Sequence, residues 1–209
     1  MNHLIRDYLD ELHETFGVAA PIDGRVLKSL YERQDYGAML GWIKLSMRLD
    51  CPVGLRIVEG PDENPPLWIE MPTPTPIYGS PAFRSTRFVV NARRAALHQS
   101  FAYAVAGFAH ELSHIVLSAT QHRLRDDEKA VDLTAMLLGY QTFISSAEVT
   151  RSQGAIWSFL LMLALAPFGI VFWRSPKRLT WRLGYLTREE ANAAREYLAW
   201  RQSARGATG

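Results

Sequence analysis

The sequence predicts an α+β fold, mainly helical, in which a small sheet precedes a long buried helix. Three observations carry that expectation. Apolar residues recur at helical spacing near the N-terminus, residues 52–91 change to β-prone runs punctuated by proline and glycine, and residues 95–118 are alanine-rich and free of proline. With 209 residues, 48% apolar and 21% charged, the chain has the composition of an ordinary globular protein. Its length suits one substantial core, so a single domain over 1–209 is expected.

Leu4, Ile5, Tyr8, Leu9, Leu12 and Phe16 repeat at helical spacing before Gly17 stops the pattern, which predicts a helix over residues 3–16. Val26, Leu27, Leu30 and Tyr31 indicate a second. Between Gly37 and Asp50 two periods overlap: Ile43, Leu45, Met47 and Leu49 alternate as in a strand, whereas Met39, Leu40, Ile43 and Met47 fit a helix. Helix is the expectation, so residues 1–50 read as N-terminal helices. Runs at 55–58, 67–71 and 87–90 then supply a small sheet within 52–91. Pro72, Pro74 and Pro76 cannot donate to a hydrogen-bond ladder, which puts residues 71–76 at an edge or in a loop.

Residues 95–118 should form one long helix buried on more than one face. A second helix is expected from about Asp126 to Tyr140, with Asp126 and Asp127 capping its free amides, so that 95–141 forms a helical pair. Thr187 and Glu190 have capping-box spacing, with Leu186 as a staple, and open a last helix over 187–202.

A net charge of +2, with basic residues spread along the chain, argues against a nucleic-acid partner; Arg174, Lys177, Arg178 and Arg182 read as a solvated face. The single cysteine, Cys51, excludes an internal disulfide and a cysteine-rich zinc site, and suits a reducing compartment. The amphipathic N-terminus is unlike an export signal, so the cytoplasm is expected. Residues 155–173 carry no charge over 19 positions between Arg151 and Arg174, long enough for a membrane span, yet Pro167 and Gly169 interrupt them. That segment reads as buried, as covered by a partner protein, or as inserted in or attached to the inner face of a membrane.

The chemistry lies in His110-Glu111-Leu112-Ser113-His114. Helical residues four apart share a face, so His110 and His114 can direct ring nitrogens at one zinc ion. Glu111 then lies beside the remaining coordination position, where a carboxylate can take a proton from water that the ion has acidified to a pKa of about 7. Glu128 and Asp132, also four apart, offer a third ligand in Glu128 and, in Asp132, an acceptor for the spare nitrogen of a zinc histidine. The loop over 119–125 is long enough to fold the second helix back. The competing structural reading is a pair of core histidines satisfied by neighbouring acids.

HExxH followed by ExxxD resembles the gluzincin metallopeptidases, in particular the HtpX and CaaX-prenyl-protease superfamily, over residues 86–141. The resemblance implies a zincin-like domain and zinc-dependent hydrolysis of a protein or peptide substrate. His110, His114 and Glu128 would be the ligands, Glu111 the general base and Asp132 the support behind a ligand. It further implies that the strand at 87–91 pairs with extended substrate. HtpX-type enzymes have membrane spans ahead of the motif, which this chain lacks, and the cytoplasmic regulatory peptidases of the ImmA/IrrE group share the core motif. A reading from another class is a non-catalytic, zinc-stabilised interaction module. Glu111 speaks against it, because a structural site needs no base. His122, Tyr140 and Tyr185 are candidates for stabilising a developing oxyanion, none of them singled out by spacing.

Overall fold

A computed structural model describes residues 3–59, 65–152, 178–182 and 185–206 of the chain. The apolar segment over 155–173, with Arg174 and Lys177, lies outside the described residues. Among the described residues no helix is long and apolar enough to cross a membrane. The chain divides into two compact units, one made of Met1–Ala147 with Leu183–Gly209 and the other of Glu148–Arg182. The smaller unit holds two antiparallel strands, β4 (Glu148–Ser152) and β5 (Arg178–Arg182). All other elements belong to the larger unit, which is α+β and mostly helical.

Helix α1 (His3–Phe16) buries Ile5, Leu9 and Leu12, and Gly17 ends it at φ 70°, donating its N–H to the His13 carbonyl. After α2 (Arg25–Glu32), the ambiguous segment is helix α3 (Tyr36–Ser46), capped by Asp35, which accepts from the Ala38 amide. Met39, Leu40 and Ile43 point inward while Leu45 is 69% exposed. A strand would have put Leu45 on the face shared by Ile43, and the core has no place for it.

Strands β1 (Val53–Val58), β2 (Leu67–Glu70) and β3 (Phe88–Arg93) form the sheet in the order β1-β3-β2, with β3 parallel to β1 and antiparallel to β2. The strand expected to receive substrate is therefore the central one, with both hydrogen-bonding edges occupied. Its sequence is that of a buried strand, since Phe88, Val90, Asn91 and Ala92 are all fully enclosed. Asn91 donates to Glu70 while Arg56 bridges Glu70 and Asn91, so one polar row ties the three strands together. A short helix, α4 (Pro81–Ser85), precedes β3 and has Ser80 as its cap.

The long helix expected over 95–118 is two helices, α5 (Arg94–Leu97) and α6 (Phe101–Ala119). Ser100 separates them: it is extended, and its hydroxyl accepts from the Tyr103 amide, which starts a new helix inside the alanine-rich run. Helix α6 is the hub of the unit, packed against α3, α7, α8 and the β2 side of the sheet.

Helix α7 (Glu128–Ala135) starts two residues later than expected, because Asp127 is the cap, accepting from the Lys129 and Ala130 amides, while Asp126 pairs with Arg125. It runs through a π turn (Met136–Tyr140) into α8 (Gln141–Ser146), past the predicted end. Gly139 makes that continuation work. Its φ is 103°, and a Cβ there would lie 2.6 Å from the Ala20 carbonyl. Its own carbonyl accepts from the Ile22 amide, and that of Leu137 from Ala19, so residues 17–23 are laced into the kink. Gly139→Ala combines left-handed strain with a backbone clash and should cost more than about 2 kcal/mol, read as a lower urea midpoint at unchanged m-value.

The final helix, α9 (Arg188–Gly206), opens on the capping box: Glu190 N–H donates to Thr187 Oγ1, and Thr187 N–H donates to Glu190 Oε2. It is tied to α1 through Asp10, which accepts from the Tyr197 hydroxyl and from Arg201. The Tyr197 hydroxyl bond, with Arg201 and against partial burial, holds the Asp10 carboxyl below its ordinary 3.8. A depressed carboxylate stabilises the fold fully above its unfolded pKa and loses that contribution as pH falls through the folded one. Below pH 4 the parent should therefore lose stability more steeply than Asp10→Asn, in denaturant titrations over pH 2–6.

Candidate metal centre

Helix α6 presents its side chains through very few openings. Beyond Ala102 only His114 and Ser118 are half-exposed; every other position of the helix is buried. His110 and Glu111 retain 8% and 7% of their surface, so they look out through the opening at His114. The turn after α6 brings α7 back beside it, and because Asp127 caps α7, Glu128 becomes its first residue and stands at the mouth of that opening.

Glu128 Oε2 lies 3.2 Å from His110 Nε2 and 3.5 Å from His114 Nε2, and the three ligand atoms fall within 4.8 Å of one another. Three ligands about 2.0–2.1 Å from a tetrahedral ion are separated by about 3.3–3.4 Å, and the two distances from Glu128 to the histidines bracket that value. Glu128 Oε2 is also buried without a hydrogen bond, which a native site rarely tolerates unless something else satisfies the oxygen. His110, His114 and Glu128 are thus positioned to bind a metal ion.

Asp132, one turn further along α7 and 1% exposed, sits behind this group. His110 Nδ1 donates to its Oδ1 at 2.8 Å, leaving Nε2 free for an ion and setting the plane of the ring. Its second oxygen accepts from the main-chain amides of Tyr185, at 2.6 Å, and Leu186, at 3.2 Å. A buried carboxylate with three donors is satisfied. The same residue therefore orients a ligand and fixes the chain where it enters α9.

The electrostatics follow from burial and these contacts. Burial opposes charge on His110, but the Asp132 carboxylate bonded to Nδ1 and the Glu128 carboxylate facing Nε2 favour it and raise the imidazole to about 10. His114, also buried and beside the charged His110, is pushed down to about 4. Burial pushes Glu111 up to about 7, with the His110 charge opposing, the Glu128 charge adding and the Ile69 amide opposing. A carboxylate titrating near neutrality next to a metal-ligand group is suited to accept and return protons.

Of the three oxyanion candidates, only Tyr185 stands at the centre. Its ring stacks on His110, with centroids 6.0 Å apart and planes at 24°; burial raises its phenol, as do the carboxylates of Glu128, Asp132 and Glu111. His122 accepts from the Leu124 amide and faces Glu11, while the Tyr140 hydroxyl is paired with Ser46 in the core. Nothing in the spacing of Tyr185 links it to Asp132 53 residues earlier, although its place just ahead of a capping box marked the chain there as anchored. Comparison with protein-family models, with curated proteins and with solved structures finds no significant match, so the gluzincin resemblance rests on the residues named above.

Proposed function

We propose that the chain is a zinc-dependent endopeptidase. The observation that carries this reading is Glu111: a carboxylate kept nearly dry beside a three-ligand group, with its pKa raised to about 7. A metal site that only held the fold together would gain nothing from burying an additional carboxylate without a partner cation, a costly arrangement. Three protein ligands leave a fourth position for chemistry, whereas structural sites close all four.

A zinc ion held by His110, His114 and Glu128 would supply a Lewis acid that polarises the scissile carbonyl and acidifies water. Glu111 removes a proton from the attacking water and delivers it to the leaving amine. Asp132 holds the His110 ring in the tautomer that presents Nε2. The Tyr185 hydroxyl, beside His110, donates to the oxygen on which negative charge develops. Substrate would lie along β2, whose outer edge faces α6 through the Ile69 amide, and not along β3, whose edges are filled.

Reconstituted protein should bind one equivalent of zinc and cleave a denatured protein substrate. Chelation should abolish the cleavage and added zinc restore it. A protein that takes up zinc stoichiometrically but cleaves no member of a proteome-derived peptide library would sink the peptidase reading.

A further inference from the structure

A cavity of about 320 Å³ opens at the C-terminal end of α6. One wall is the proline-rich loop that follows β2, with Met71, Pro72 and Pro74. The other is Ser118 at the end of α6, with Arg125 and Asp126 from the turn before α7. We infer that this cavity receives a bulky, uncharged side chain of the substrate, one or two residues on the N-terminal side of the scissile bond. The inference rests on the peptidase reading for the direction of the chain, and on the geometry alone for the cavity and its chemistry.

Its position relative to the metal group comes from three independent features. Ser118 is four residues beyond His114, hence on the same helix face and about 6 Å further along the axis. These two are the half-exposed positions in the last turns of α6, so one opening in the helix surface leads from ligand to cavity. Asp126, on the opposite wall, is close enough to His114 for its charge to act on that ring. Met71, finally, directly follows β2, whose Ile69 amide faces Glu111. The outer edge of β2 therefore runs from the general base to the cavity mouth within two residues.

That run sets the direction. An extended peptide adding to the outer edge of β2 pairs best antiparallel. Since β2 proceeds from Glu111 towards the cavity, an antiparallel peptide proceeds from the cavity towards Glu111. Residues entering the cavity thus precede the bond that is cut.

The lining sets the chemistry. Met71, Pro72 and Pro74 contribute apolar surface, Thr73, Thr75, Ser118 and Gln121 contribute uncharged hydroxyl and amide groups in about equal measure, and the prolines stiffen the wall. The loop is tied down by the Tyr78 amide on the Ala119 carbonyl, at 2.8 Å, and by the Tyr78 hydroxyl on the Arg48 carbonyl. A preformed wall avoids the ordering cost of binding. Arg125 and Asp126 pair with each other at 3.7 Å, so the rim carries no net charge to select a cation or an anion. A large, uncharged side chain is the occupant that such a cavity favours.

The test uses the zinc-loaded full chain and two acetyl-dipeptide hydroxamates, which chelate the ion and extend towards the N-terminal side. One carries a phenylalanine side chain and the other only glycine. The aromatic compound should bind at least about tenfold tighter. Ser118→Trp, which fills the cavity, should bring that ratio close to one while the glycine compound keeps its affinity. Met71→Glu, which adds a charge without filling space, should lower the ratio as well and improve binding of a lysine-bearing analogue. Equal affinities in the parent, or a ratio that neither substitution changes, would overturn the cavity assignment. Selectivity appearing only with inhibitors extended towards the C-terminal side would overturn its direction. Cleavage is scored separately: selective binding without hydrolysis of any peptide removes the peptidase reading and leaves the cavity, and hydrolysis without selective binding does the reverse.

Discussion

Glu111→Gln should leave the protein folded and zinc-loaded while reducing peptide hydrolysis by about three orders of magnitude, equivalent to about 4 kcal/mol of transition-state stabilisation. Glutamine has nearly the shape of glutamate, so α6 is undisturbed, but its amide cannot take a proton from water. The substitution also removes a charge that burial disfavours, so the variant should be no less stable than the parent. The loss should fall on kcat, with KM little changed, because the carboxylate acts on the attacking water and not on the bound peptide. The parent should show an acid limb in kcat/KM from protonation of Glu111. In the absence of an ion burial places this carboxyl near 7, and a nearby dication favours the ionised form, so the limb should fall below that value. Full activity in the variant would eliminate Glu111 as the base, whatever the metal content.

Glu128→Ala should weaken zinc binding by more than about a hundredfold, measured by competition with a chromophoric chelator. Residues that only support a ligand commonly cost 10–100-fold when removed, so a ligand should exceed that range and Asp132→Asn should fall within it. The side chain of Glu128 is 39% exposed, and its removal opens no cavity in the core. Unchanged melting of the metal-free protein would therefore separate lost coordination from lost folding. Undiminished affinity would return the two histidines to a structural role beside neighbouring acids.

The order of elements in the larger unit was largely legible, because its signals are local. Gly17 and the capping pair Thr187 and Glu190 act within a few residues of themselves, and α1 buries the apolar face that its spacing announced. What escaped was one local cap masked by its alanine-rich surroundings, together with contacts distant in sequence. Ser100 is an unremarkable member of an alanine-rich run until its hydroxyl meets the Tyr103 amide. The helix expected to end near Tyr140 continues into α8 because residues 17–23 supply amides to the carbonyls freed around Gly139. That residues 87–91 form the central strand of the sheet escaped the sequence for a related reason. β-propensity shows that a segment is extended, but the strand order depends on which partners reach it, and here β1 and β2 flank β3.

For the candidate site, the sequence by itself determined the chemical inventory: two imidazoles on one helical face, a carboxylate next to the first, and two acids with the same spacing on the following helix. Helical periodicity is intrinsic to the backbone, so those relations hold wherever the helices lie. Only the tertiary structure decided that Glu128 Oε2 stands 3.2 and 3.5 Å from the two ring nitrogens, that Tyr185 returns to stack on His110, and that β2 presents an edge beside Glu111. Each of these joins separate elements, and the angle and distance between elements are set by packing of the whole core, which no local pattern encodes.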